Sequence, residues 1–290
     1  MLTDIEVSEI CKHLGESTPK NIKRVHGGQI HQSWKLEFNN KDIFVKVNST
    51  NKPFLAYEKF CILDLQKYIN NNNLIVPKVI KYIKSNMSEI LIMEWLDMEG
   101  ISQKKLGRGL AEMHILSQES QPDKFGYAVE GFIGRSKQIS GWERTWVDCF
   151  INLRLEPQLL LLKKNLFTLD IINKIKSSIY KQLYIHNPKS SIVHGDLWSG
   201  NMGIHKSEKG IIFDPACWWA DSEVDLAMTR LFGGYSNEFY EEYNKVIPPI
   251  KGHEKRAIIY NFYHILNHAN MFGGTYLTEV RVYANKILDM

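Results

Sequence analysis

"SIVHGDLWSGNMGI", residues 191–204, sets a dense polar group between two apolar flanks. Ile192-Val193 and Met202-Gly203-Ile204 read as short buried strands. Between them lie His194, Asp196 and Asn201, with glycines at 195 and 200. Loops of this polarity normally sit in solvent. One enclosed by buried strands reads as a site.

The spacing of five from Asp196 to Asn201 matches the pattern H-x-D-x-x-x-x-N, a loop used in phosphoryl transfer. That chemistry needs few parts: a carboxylate to take the proton of the attacking hydroxyl, oxygen ligands for a magnesium ion, and a cation on the phosphates of ATP. Asp196 is the expected base. Thirteen residues past Asn201, "IIFDPA" (211–216) ends an apolar run at Asp214. A hairpin there would return a second oxygen beside Asn201, and carboxylate and amide oxygens suit Mg2+.

The cation is expected at Lys46, mid-strand in "FVKV", where an unpaired ammonium is costly to bury. In the helix after Pro53, Leu55, Glu58, Ile62, Leu65 and Ile69 share one face, so Glu58 falls among apolar neighbours. Each needs a partner, and pairing Lys46 with Glu58 satisfies both. Upstream, "VHGGQIHQSW" (25–34) is a turn whose Gly27 and Gly28 let backbone amides approach phosphates. Met93, Glu94, Trp95 and Leu96 of "LIMEWL" are the expected adenine-side hinge, with Met93 at the back and the backbones of Glu94 and Leu96 bonding the base.

Strand-like alternation marks the first hundred residues: "SWKLEF" (33–38), "IFVKV" (43–47), "VPKVIKYI" (76–83) and "EILIMEWL" (89–96). One helix is expected over 54–69, ending in the asparagine run 70–73. Beyond residue 100 the period becomes helical over 106–118, most of 142–185 and from 238 onward, interrupted by short strands in 191–214. The expected fold is α+β and bilobal, protein-kinase-like: a small β-rich N-lobe, 1–96, carrying ATP, and a larger mainly helical C-lobe, 97–290, carrying the catalytic loop and acceptor site.

Composition narrows the classes. Hydrophobic residues make up 44% and charged residues 23%, ordinary globular material. A net charge of +4 without a basic run gives no argument for nucleic acid. Cys11, Cys61, Cys149 and Cys217 form no C-x-x-C pair, which fits a reduced cytoplasmic chain. The N-terminus has no signal-peptide order, and no apolar run reaches the roughly 20 residues that span a bilayer.

With these residues in view, the chain resembles the fructosamine kinase (ketosamine-3-kinase) family, relatives of aminoglycoside and choline kinases. The resemblance rests on "VHGDLWSGN", "DPACWWADSEVDLAMTRLFGG" (214–234), "FGYAVEGFIGRSKQISGW" (125–142), "FINLRLEPQL" (150–159) and "YHILNHANMFGG" (263–274). It implies ATP-dependent phosphorylation of the 3-hydroxyl of a ketosamine, free or on a protein lysine, leading to deglycation. It further implies Asp196 as base, Asn201 and Asp214 on magnesium, and Lys46 with Glu58 on the phosphates. "DPA" stands where protein kinases have D-F-G, and no A-P-E follows, so activation-loop control is not expected. Two other readings stand beside this one: a kinase for another alcohol such as an aminoglycoside or choline, and a non-catalytic nucleotide binder.

Trp198, Trp219 and His264 are weaker candidates for substrate contact; His264 and His268 stand one helical turn apart. Asp225 and His194 are expected to brace the loop rather than react.

Overall fold

The computed structural model describes residues 2–25, 31–85, 88–120, 124–162 and 166–290. Gly27 and Gly28 lie outside the described residues.

The alternating segments build a five-stranded antiparallel sheet in the order β1-β2-β3-β6-β5: β1 Asn21–Val25, β2 Gln32–Glu37, β3 Asp42–Asn48, β5 Val79–Lys84 and β6 Glu89–Glu94. Its inward residues follow the period of two: Leu36, Ile43, Val45, Ile90 and Ile92 are buried in one cluster with Ile10 of α1 (Asp4–Leu14). On the other face lies α2 (Phe54–Leu65), presenting Leu55, Glu58, Ile62 and Leu65. Pro53 gives that helix no side-chain cap. Glu89 of β6 does so instead, accepting the amides of Leu55 (3.2 Å) and Ala56 (3.3 Å), Asn48 Nδ2 (2.8 Å) and the Tyr82 hydroxyl (2.6 Å). A carboxylate at this end also favours the helix dipole. The sheet thereby fixes where α2 starts, and with it the position of Glu58.

α2 stops at Leu65 rather than near 69. The Gln66 side chain turns to the carbonyl of Pro77 (3.0 Å) and the chain bends back to β4 (Leu74–Ile75). Strand β6 ends at Glu94, two residues before the expected limit. There the Glu94 amide donates to Lys78 O (3.0 Å) and its Oε1 accepts the Lys78 amide (2.8 Å), which closes the ladder.

The rest is mainly helical: α3 Lys104–Gln118, a short α4 Trp146–Asp148 continuing into a π-helical stretch Cys149–Leu155, α5 Glu156–Leu162, α6 Leu169–Leu183, α7 Glu223–Leu231, α8 Asn237–Val246, α9 His253–Phe272 and α10 Thr275–Leu288. Small strands thread between them. β7 Phe125–Tyr127, β10 Gly141–Glu143, β11 Ser191–Val193 and β14 Trp218–Ala220 make one sheet, β8 Gly131–Ile133 and β9 Ser136–Gln138 a hairpin. β12 Met202–Ile204 and β13 Gly210–Ile212 form a hairpin extended by β4. Several of these were absent from the expectation because three-residue strands carry too little periodicity to detect. A continuous core runs from α2 through α3 and α9, with Trp146, Trp218, Phe150, Tyr260 and Tyr263 at its centre. Among the described residues no helix is long and apolar enough to cross a membrane.

Candidate active site

The loop after β11 is held by its backbone. Asp225 on α7, fully buried, accepts the amides of His194 (2.8 Å) and Gly195 (2.9 Å). His114 of α3 lies 3.2 Å from the same carboxylate and is itself held by Tyr243 (2.8 Å). The Asp225 carboxyl is lowered despite burial, because these hydrogen bonds and nearby imidazoles offset desolvation. His194 Nε2 meets Phe213 O at 2.8 Å, so the imidazole pins the loop to the Asp214 segment. Gly195 has φ +81°, and a Cβ there would stand 2.2 Å from Ala216 O. Only glycine lets H-G-D turn against D-P-A. At Gly200 a Cβ would meet the Trp198 ring at 2.1 Å, so its hydrogen leaves room for the indole to lie across the loop.

The β12–β13 hairpin does what the spacing predicts. Met202 pairs with Ile212, and the Phe213 amide donates to Asn201 O (3.1 Å), bringing Asp214 back beside Asn201. Asn201 Nδ2 donates to Asp196 O (2.8 Å), and its Oδ1 has no partner among the described residues. Asp214 sits at φ +59°, the left-handed region, where a non-glycine residue stores strain typical of functional positions.

Lys46 of β3 and Glu58 of α2 meet at 2.8 Å, with side chains 5% and 10% exposed. Lys46 also contacts the Asp214 carboxylate. Burial alone would lower the ammonium, but Asp214 and Glu58 outweigh it and carry Lys46 up to about 12, so it stays charged. Burial, with Asp214 close by, pushes the Asp196 carboxyl up to about 7. A carboxylate poised there suits a general base at neutral pH.

Lys46, Glu58, Asp196, Asn201 and Asp214 all line one cleft of about 540 Å³. Trp198 lines it too, as do residues the sequence did not single out: His31, Phe132, Phe232, Asn267 and Tyr276. His31 falls within the glycine-bearing turn, and His268, which also lines the cleft, is the turn-mate of the residue chosen. Burial pushes His31 down to about 4, so it stands neutral.

Two weaker candidates are corrected. Trp219 is 3% exposed, pairs with Ile192 across β11–β14 and meets Tyr68 edge-to-face at 5.7 Å, within the core and not on the cleft lining. His264 is fully buried, and desolvation drives it to about 3. One turn along α9 the cleft-facing member of the pair is His268. In the expected hinge segment, Met93 is 2% exposed in the core, Trp95 Nε1 donates to Asp97 (3.0 Å) with Lys35 over its ring, and Glu94 and Leu96 are half-buried; none of the four is on the cleft lining.

A fructosamine kinase model matches residues 2–290. The chain belongs to the fructosamine kinase family. It is 35% identical over 270 residues to a protein of Vibrio parahaemolyticus named "Probable ketoamine kinase", covering 92% of each. Mouse ketosamine-3-kinase is 31% identical over 295 residues, covering 91% of this chain and 94% of that one. The crystal structure of a candidate fructosamine-3-kinase from Haemophilus somnus superposes with a TM-score of 0.85 at 26% identity, over 97% of this chain and 96% of that one. A thermostable mutant of aminoglycoside phosphotransferase APH(4)-Ia, solved in ternary complex with AMP-PNP and hygromycin B, shares the fold at a TM-score of 0.64 and 12% identity, over 98% of this chain and 97% of that one. This member of the family is an ATP-dependent phosphotransferase of bilobal α+β, kinase-like fold.

Proposed function

We propose that this fructosamine kinase phosphorylates the 3-hydroxyl of a ketosamine, with Asp196 as the base. The convergence of Asp196, Asn201, Asp214, Lys46 and Glu58 on one cleft carries the reading. In it, Asp196 takes the hydroxyl proton as the oxygen attacks the γ-phosphorus; the bond to the β-phosphate oxygen breaks and ADP leaves. Lys46, held by Glu58, neutralises and orients the phosphates. Asn201 Oδ1 and the Asp214 carboxylate form a hard-oxygen donor set that fits magnesium. When bound, that ion offsets the negative charge of the transferring phosphate. The Glu94–Leu96 backbone serves the adenine.

The product carries its phosphate beside a ketone. Enolisation toward C1 expels that phosphate, and hydrolysis of the resulting imine frees the amine. The reaction is therefore a deglycation, on a free metabolite or a protein lysine, in the cytoplasm where ATP is supplied.

The test is ADP release from Mg-ATP with a synthetic fructosamine and a synthetic ribulosamine. A phosphorylated ketosamine formed one-for-one with ADP is expected. ADP release no faster than without acceptor, for both compounds, refutes the reading.

A further inference from the structure

Beyond Asp196 the cleft has a second wall of a different character. Phe232, at the end of α7, meets Trp198 edge-on at 6.3 Å and His268 at 5.1 Å. His268 in turn lies 5.0 Å from Tyr276 and 5.7 Å from Phe272. Phe232 is 39% and Phe272 49% exposed, although both are large and apolar. Exposed aromatic clusters at a cleft mark a binding surface.

Two polar groups interrupt the rings, and both have acceptor capacity to spare. Asn267 is 1% exposed and lines the cleft, yet its Oδ1 has no partner among the described residues. His268 Nδ1 lies 2.8 Å from the His264 carbonyl, which can only accept. Nδ1 must therefore carry the hydrogen, and Nε2 is left as an acceptor. Burial keeps this imidazole lowered and hence neutral, against the opposing pull of the His264 carbonyl and, less, of Glu279 on α10. Among the described lining residues the carboxylates are Glu58, Asp196 and Asp214, and none of them belongs to the aromatic wall.

A wall of π-faces and free acceptors without its own carboxylate is complementary to a single N–H-bearing cation. A polycation would require acids that the lining does not offer. We propose that Phe232, Asn267, His268, Phe272 and Tyr276 seat the protonated secondary amine of the acceptor, with the rings facing its charge and Asn267 Oδ1 or His268 Nε2 accepting its N–H. This rests on the ketosamine reading above. In a ketosamine the nitrogen on C1 is two carbons from the reacting C3, so seating the amine on this wall also fixes the hydroxyl near Asp196. These residues are specificity determinants; the proton is moved by Asp196.

The experiment compares a fructosamine of an aliphatic amine with its 1-O-alkyl ether, which keeps the ketose and the C3 hydroxyl but lacks both N–H and charge. The wild-type protein, Phe232→Leu and Asn267→Leu are assayed with each compound, and KM for ATP is measured in all three. The wild type is expected to favour the amine at least tenfold in kcat/KM. In Phe232→Leu that preference falls by roughly 2- to 30-fold, the range for a cation–π contact. In Asn267→Leu it falls by about tenfold or more, as for a lost hydrogen bond to a charged group. Both losses come through KM for the amine. KM for ATP stays within about twofold, which also shows that the variants are folded, and activity on the ether falls less than activity on the amine. Equal use of amine and ether by the wild type, or equal losses on both in the variants, overturns the inference while leaving the kinase reading intact. Failure of the wild type to phosphorylate either compound overturns both.

Discussion

Lys46 Nζ lies 2.8 Å from Glu58 Oε1, joining the central strand of the N-terminal sheet to the helix packed on it. Neither group is tolerable alone at this burial. The pair couples the placement of α2 to the cation proposed to face the phosphates.

Replacing Glu58 with Gln removes a charge-assisted hydrogen bond of ~1.5–3 kcal/mol while Lys46 keeps its contact with Asp214. KM for ATP is expected to rise about tenfold or more with KM for the acceptor nearly unchanged. Initial-rate kinetics with each substrate varied separately check this split.

Glu89 tests the origin of that geometry. It is 4% exposed and joins β6 to the start of α2 and to Asn48 and Tyr82. Glu89→Gln keeps its size but loses the charge facing the helix N-terminus, and one of its oxygens becomes a donor. The expected cost is about 1–3 kcal/mol, seen in urea melts. Faster hydrogen exchange in residues 54–58 than elsewhere on α2 would locate the effect.

Asp225 governs the loop from behind. Asp225→Asn weakens the acceptor for the His194 and Gly195 amides and for His114. A loss of about 3–5 kcal/mol is expected, as for breaking a buried charged network. Turnover should fall more than either KM changes, because the loop binds through its shape but reacts through the position of Asp196. Circular-dichroism melts and steady-state kinetics on the same preparation separate the two effects.

The fold class and the central site were legible because they rest on long-period signals. Strand-like runs of six or seven residues made β2, β3 and β6, and Glu58 betrayed itself as an acid on an apolar helix face. The Asp196–Asn201–Asp214 spacing translated directly into a hairpin. What failed was short or long-range. Strands β7 to β10 have three residues each, too few for a pattern. The choice between His264 and His268 turned on which side of α9 faces the cleft, and that depends on how α9 packs against α7 and α10. His114 gave no signal, since a histidine inside an apolar helix reads like any core residue until its partner Asp225 is seen.

The raised Asp196 carboxyl links activity and stability to pH with opposite signs. In the unfolded chain it ionises near 3.9, whereas in the folded protein burial holds it at about 7. Between those values the folded state binds the extra proton, so the residue costs stability as pH rises toward 7. Asp196→Asn is therefore expected to raise Tm by a few degrees at pH 8, an advantage that vanishes by pH 4. The kcat/KM of the wild type, which reports the free enzyme, should rise with pH through about 7 as the carboxylate appears. Differential scanning calorimetry across pH and a kcat/KM–pH profile check the two halves.

The most direct measurement of the central claim is phosphate transfer from Mg-ATP to a fructosamine by Asp196→Asn, with ATP affinity measured on the same protein by calorimetry. Asparagine can still hydrogen-bond to the acceptor hydroxyl but cannot take its proton. Turnover is predicted to fall about 10²- to 10⁴-fold with the Kd for ATP within about threefold of wild type. Turnover near the wild-type rate would contradict Asp196 as the base.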